Sequence, residues 1–198
     1  LVTRKPADEF GIEEKLSYGR FNDWYTRTRV DTGSLFGSPV KATIAYLHRE
    51  RDGTFDNSLA PGDQDPGSVD SDALWFGLSG EFGDRFTAYY TFDWNERGGA
   101  PAFFQLTTAS PDVASYYGQS PFFGGAPFVV SRERLEGGQQ APFDGRFAGT
   151  SETVGHQLTL EVKLTDTATL KSISAYRSFE QDSIGILTGN GLLRGFVL

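Results

Sequence analysis

Arg85-Phe86-Thr87-Ala88-Tyr89-Tyr90-Thr91-Phe92-Asp93-Trp94 is the stretch on which the fold turns. Phe86, Ala88, Tyr90, Phe92 and Trp94 alternate with Thr87, Thr91 and Asp93. Side chains of an extended chain point to opposite faces in turn, so a period of two marks a strand and excludes an amphipathic helix. The run is also long. About ten residues are what a tilted strand needs to cross a bilayer, whereas strands of soluble sheets average about five or six.

The same pattern recurs on both sides. Glu152 to Leu164 sets Val154, Leu158, Leu160, Val162 and Leu164 against Gln157, Thr159, Glu161 and Lys163. Asp72 to Phe82 sets Leu74, Phe76, Leu78 and Phe82 against Ser79 and Glu81, and Val40 to Arg49 sets Val40, Ala42, Ile44 and Tyr46 against Lys41, Thr43 and Arg49. Weaker runs are Glu9 to Tyr18, where Glu14 interrupts the apolar face, Asn22 to Asp31, and Thr169 to Phe179. That predicts seven strands. The connections differ in length: Thr32 to Pro39, Gly83-Asp84 and Thr165 to Thr167 are short, while Asp52 to Ser71 and Asn95 to Ser151 are long. Gly19 to Phe21 is the short exception on the long side. Short turns at one end and long loops at the other are the asymmetry of a transmembrane barrel, and a loop as long as Asn95 to Ser151 counts against a compact soluble domain.

Composition agrees. The 198 residues include 24 Gly and, from 17 Phe, 8 Tyr and 3 Trp, 28 aromatics, as expected for strands, tight turns and aromatic belts. No run approaches the roughly 18 apolar residues of a membrane helix. Cysteine is absent, which excludes a disulfide scaffold, zinc ribbons and thiol catalysis. A net charge of -8 without a Lys/Arg cluster argues against a nucleic-acid partner. With no methionine, Leu1 is not a translation start, and a processed or truncated N-terminus is expected. Tyr18, Trp24, Tyr46, Trp94 and Tyr176 lie near strand ends on the long-loop side, where they are expected to form an aromatic girdle at the lipid headgroups.

Several motifs bear a family resemblance. Leu170-Lys171-Ser172-Ile173-Ser174-Ala175-Tyr176-Arg177 resembles a strand of TonB-dependent outer-membrane receptors, and Leu158-Thr159-Leu160 with the turn Leu164-Thr165-Asp166-Thr167 is similar to the strand and turn before it. Leu16-Ser17-Tyr18-Gly19-Arg20-Phe21-Asn22 resembles the connection after the family's first barrel strand, and Ala45-Tyr46-Leu47 running into Arg51-Asp52-Gly53 resembles its third strand. The matches are collinear from about Lys5 to Glu180.

The resemblance implies a 22-stranded barrel plugged by a preceding domain, an inner-membrane TonB complex as energy source, and a scarce extracellular ligand, above all a ferric siderophore. The expectation is therefore an all-β, antiparallel up-and-down transmembrane segment of about seven or eight meandering strands, an open or incomplete barrel. Residues 1–198 would be part of a single receptor-like barrel domain, with the plug and the C-terminal strands absent. Its partners would be outer-membrane lipid and lipopolysaccharide, the TonB complex through the missing plug, and a small ligand. The alternatives are a self-contained barrel of eight strands, with Ile184 to Leu198 as the eighth, serving as an adhesin or porin-like protein, and a secreted glycan-binding β-sandwich.

No catalytic constellation and no cofactor motif occurs, so an enzyme is not expected. Phe103, Phe104, Tyr116, Tyr117, Phe122 and Phe123, with Phe128, on the long loop are candidate ligand contacts, since aromatic pairs offer flat apolar platforms. Asp63, Asp65 and Asp70, in an Asp-rich stretch with Asp52, Asp56 and Asp72, form a weak Ca²⁺ candidate. The Gly and Glu spacing of an EF-hand is missing, which favours a solvated loop. His48 and His156 are placed at the loop ends of separate strands, too far apart to share a metal. Arg27, Arg29, Lys41, Arg49, Glu81, Asp93, Glu161, Lys163, Lys171 and Arg177 are expected to share the water-filled face. Glu14 falls on the apolar face, which calls for a bulge or a covering strand.

Overall fold

The computed structural model describes residues 4–57, 65–102, 105–112, 115, 130–133, 137–138, 148–185 and 195–197. The architecture is all-β. The strands are β1 (Phe10–Gly19), β2 (Asp23–Ser34), β3 (Val40–Arg51), β4 (Asp56–Asn57), β5 (Val69–Phe82), β6 (Phe86–Gly99), β7 (Gly137–Gly138), β8 (Gly149–Lys163), β9 (Thr169–Gly185) and β10 (Gly195–Val197). The long strands form one sheet in the order β1-β2-β3-β5-β6-β8-β9, with β10 on the far edge, and every neighbour is antiparallel. The sheet does not close: β1 and β10 are its two edges. All seven expected strands are present in an up-and-down meander, the topology of an open barrel segment. Among the described residues the other sheet is the two-residue parallel pair β4-β7, and no second layer of the kind a β-sandwich needs packs on the long sheet.

At the short-turn end β2 runs on to Ser34, three residues past the expected Asp31; the other differences lie at the opposite end. β5 starts at Val69, β6 runs on to Gly99, β8 starts at Gly149 and β9 ends at Gly185. All these extensions lie at the long-loop end. Ile184, expected to begin an eighth strand, instead belongs to β9, opposite Phe196. His156 consequently sits in the interior of β8, not at its loop end.

The register separates two faces cleanly. Ile12, Val30, Ile44, Phe76, Phe92, His156 and Tyr176 fall in one row across the sheet, with Leu78, Tyr90 and Leu158 in the next row down. Among the described residues nothing covers this apolar face: Phe10 is 70% exposed, Leu16 68% and Tyr176 66%. Among the described residues only Ala42, Phe55 and Ala100 are buried apolar side chains. The sheet therefore lacks the core that stabilises a soluble domain. Glu14 lies on this face in unbroken register and accepts from the Thr28 hydroxyl. No bulge in β1 turns it away, and the one register shift of β2 lies between Asp31 and Ser34.

All ten charged residues expected on the other face do lie there, several in pairs. Arg27 meets Glu13 at 2.7 Å, Arg49 meets Asp23 at 2.7 Å and Lys171 meets Glu161 at 2.6 Å. At the short-turn end the segment Lys5–Glu9 crosses this polar face. Ala7 N donates to Asp31 at 3.1 Å, Arg29 donates to the Lys5 carbonyl at 3.3 Å, Lys41 pairs with Asp8, and Lys5 Nζ lies 5.7 Å from the centre of the Tyr89 ring.

One pair spans two strand spacings. Asp93, Gly155 and Arg177 share a row, and Arg177 donates to both Asp93 carboxylate oxygens at 2.8 Å across β8. Glycine leaves the room for this, because a Cβ on Gly155 would lie 2.5 Å from Asp93 Oδ1 and 2.9 Å from Arg177 Nη2, so that the pair would have to shift. Gly155→Ala is expected to push the pair apart and destabilise the sheet by about 1 kcal/mol or less, in a denaturant titration. In an Asp93→Ala background the penalty should largely vanish, since the exposed ion pair itself is worth about 1 kcal/mol or less. An undiminished penalty there would show that the pair is not what the alanine displaces.

Candidate ligand-binding rim

At the long-loop end the connections fold onto one another through the backbone. The three-residue β1-β2 turn carries Phe21 and Asn22, both at positive φ. Phe21 O accepts from Asp52 N at 2.9 Å, and Asn22 Nδ2 donates to Asp52 Oδ2 at 2.6 Å, tying this turn to the next loop. That loop is closed by Thr54 N donating to Pro66 O and by Asn57 N donating to Asp65 Oδ1, both at 2.9 Å. The end of β6 is joined to it through Gly67 N to Ala100 O at 3.1 Å and Ala100 N to Ser68 Oγ at 3.0 Å. Phe55, Asn57, Ser68 and Ala100 are buried beneath these bonds. The loops thus have a small core of their own, and β4-β7 pairing brings the β6-β8 connection onto it.

Between these loops lies a cavity of about 430 Å³, within the range of small-ligand sites. Its wall is backbone at Gly53, Gly98, Gly99 and Gly149, and its charged lining is Arg51 with Glu50, Asp52, Asp65 and Asp70. Arg51 Nη2 donates to the Gly67 carbonyl at 2.6 Å, and its Nε is buried with no hydrogen-bond partner among the described residues. Two smaller hollows adjoin: one of about 260 Å³ shares Gly53 and Asp65, and one of about 220 Å³ shares Gly98, Gly99, Gly149 and Thr150.

The apolar face changes character just below this rim. His48, Asp72, Glu96, Glu152 and Glu180 occupy one row, and the row beneath holds Tyr46, Leu74, Trp94, Val154 and Ser178. The ring tips bond upward: Tyr46 OH donates to Asp72, and Trp94 Nε1 donates to Glu152 at 2.8 Å. Tyr18 and Trp24 stand side by side, their ring centres 4.7 Å apart, and Tyr176 is exposed beside His156.

The six loop aromatics expected to contact ligand, Phe103, Phe104, Tyr116, Tyr117, Phe122 and Phe123, lie outside the described residues, as do Phe128 and Asp63. Asp65 sits in the loop, holding Asn57 N. Asp70, expected in that loop, belongs to β5 together with Asp72. There Asp70 and Asp72 converge with His48, donor atoms within 4.8 Å of one another. Nothing local in the sequence marks this trio, which depends on the β3-β5 register. Asp72 already accepts from Tyr46 and lies 3.0 Å from His48 Nδ1, so hydrogen bonding satisfies it without a cation. His48 and His156 do not meet: His156 Nδ1 lies 2.8 Å from Tyr90 OH.

No family model matches the chain, and no protein of curated function matches it. Among solved structures it superposes on the crystal structure of the siderophore receptor PiuA from Acinetobacter baumannii, with a TM-score of 0.66 and 11% identity. The superposition covers 92% of this chain and 23% of that receptor. At that identity the likeness is one of fold: the sheet is built like a stretch of a receptor barrel.

Proposed function

We propose that the chain is part of an outer-membrane receptor, not an enzyme, that takes up a scarce ligand by TonB-coupled transport, with a ferric siderophore as the ligand class. One observation carries the membrane assignment: strands of 10 to 17 residues present an apolar face that nothing covers. In water such a face would drive aggregation, whereas in lipid it is the stable arrangement, with the ion-paired polar face turned to the lumen.

The aromatic residues support the same reading. From the Tyr18-Trp24 row to the Tyr46-Trp94 row the girdle drops four residues, and to Tyr176 two more. Six residues at about 3.4 Å each, over six strand spacings of about 4.8 Å, give a slope of about 35°. Strands of closed barrels tilt by a similar angle, about 35–45°. The rings thus follow a level line around a tilted barrel. The siderophore element draws its support from the resemblance in the motifs and from the kind of protein that shares the fold.

The absence of cysteine from this chain supplies a test. Glu133→Cys on the long connection is expected to react with a membrane-impermeant maleimide on intact bacteria, and Asp166→Cys in a short turn only after the envelope is opened. Uptake of radiolabelled ferric siderophore should require TonB. Reversed labelling, or labelling of neither site in an outer-membrane fraction, would overturn the membrane reading.

A further inference from the structure

Glu14 stands where a carboxylate is least stable. It shares the apolar face of β1 with Phe10, Ile12, Leu16 and Tyr18, four residues from Tyr18 at the girdle and four from Phe10. At about 3.4 Å per residue and a tilt near 40°, it lies about 10 Å from either level, near the midplane of the span. Ionisable groups at that depth are rare and stand opposite a partner. Among the described residues Glu14 accepts from the Thr28 hydroxyl alone. No Lys or Arg of the seven long strands shares its face: Lys15 and Arg27 stand on the polar one, and the register places all the others there too. The two histidines on the apolar face are held elsewhere, His48 by Asp72 and His156 by Tyr90. Within the described sheet nothing offsets the charge of Glu14.

Its position in the sheet says where a partner stands. Among the described residues β1 is an edge, and alternate N–H and C=O groups of an edge strand point away from its neighbour, unpaired. Hydrocarbon offers them no water, so in lipid the edge takes another strand. β1 holds unbroken register with β2, so the row of Glu14, Thr28 and Tyr46 runs straight on to that strand. We propose that the free edge of β1 docks an antiparallel membrane strand bearing a Lys or Arg on its lipid face opposite Glu14. The pair then sets the register of this seam. The inference rests on the membrane reading above and adds the chemistry of one contact. Side chains directly opposite stand about 4.5–5.5 Å apart at Cβ, within reach of a basic side chain. Ile12 and Leu16 flank Glu14 on the same face, so the partner strand carries apolar residues two positions to either side of its cation. A slip of one residue would turn the cation into the lumen, and a slip of two would leave both charges unmatched in hydrocarbon.

The test uses the full-length protein in outer membranes. The photo-reactive substitution Leu16→p-benzoylphenylalanine keeps Glu14 and is expected to cross-link to a strand with a Lys or Arg on the row of Glu14. Adducts to lipid alone, or to a strand with no basic residue within two positions of that row, overturn the inference. Stability in lipid vesicles gives a second readout. Thr28→Val with Glu14→Leu removes the hydrogen bond from both sides and leaves only the cation of the docked strand unmatched. The double variant is expected to unfold at a lower guanidinium concentration than Thr28→Val alone, and leucine in place of the cross-linked cation should restore the midpoint. An equal or higher midpoint for the double variant overturns the inference, because a carboxylate facing bare lipid is better lost. Labelling of Glu133→Cys and Asp166→Cys in the same membranes separates the two readings. Labelling as predicted beside a failed cross-link overturns the inference alone, and reversed labelling overturns both.

Discussion

Leu158→Arg is expected to destabilise the membrane-inserted protein by about 2–4 kcal/mol, the cost of a cation on the lipid face near the midplane of a barrel. Gln157→Arg, one residue earlier, should cost less than about 1 kcal/mol, because the lumen face meets water. Leu158 sits between Tyr90 and Ser174 on the apolar face, and Gln157 between Thr91 and Ala175 on the polar one. No difference in helix propensity, size or burial gradient distinguishes two neighbours on one strand so sharply; only the pleat does. Guanidinium titration in lipid vesicles measures both. Equal penalties would mean that the apolar face is not in lipid, and a larger penalty for Gln157→Arg would invert the assignment of the faces.

The second large effect is expected at Gly99, and its neighbour supplies the control. Gly99 has φ +136, and a Cβ there would lie 2.2 Å from the Ser68 carbonyl oxygen and 3.0 Å from its carbon. Both atoms are backbone and cannot rotate aside. Gly99→Ala therefore combines the strain of a left-handed conformation with overpacking, together about 3 kcal/mol or more. Relief requires the end of β6 to part from Ser68, breaking the Ala100 N to Ser68 Oγ and Gly67 N to Ala100 O bonds. The cavity wall would open with them, so loop proteolysis should accelerate and ligand binding fall about tenfold or more. A Cβ on Gly98 would approach nothing closer than 3.8 Å, and Gly98→Ala should change either readout little. A variant Gly99→Ala with intact loops and binding would show that the rim is not built through this contact.

How much of this was legible in the sequence follows from where the physics is local. The apolar alternation of Phe86 to Trp94 or Val154 to Leu164 is written residue by residue, and all seven strands were visible through it. It stops at Trp94 because Glu96, Arg97 and Asn95 are polar on both faces. The backbone ladder runs on to Gly99, but hydropathy no longer marks it. For the same reason Asp70 reads as loop. The rim cavity left still less trace, since glycine backbone and loop hydrogen bonds between distant segments, such as Asp52 with Phe21, build its wall. Gly155 carried no signal either; its role exists only once β6, β8 and β9 are set side by side.

The abrupt boundary between ring row and acid row has a further consequence, one of thickness. From Phe86 to Trp94 the apolar face of β6 spans eight residues, which at about 3.4 Å each and a tilt near 40° amounts to a vertical height of about 21 Å. An ordinary bilayer has a hydrocarbon core of about 30 Å, and the bacterial outer membrane is thinner than average. In a thick bilayer Asp72, Glu96, Glu152 and Glu180 would be drawn toward hydrocarbon at one end, or the turn at Gly83 at the other. On the membrane reading proposed above, the spacing of rings and carboxylates is itself an address, written in ångströms, that suits the sheet to a thin membrane.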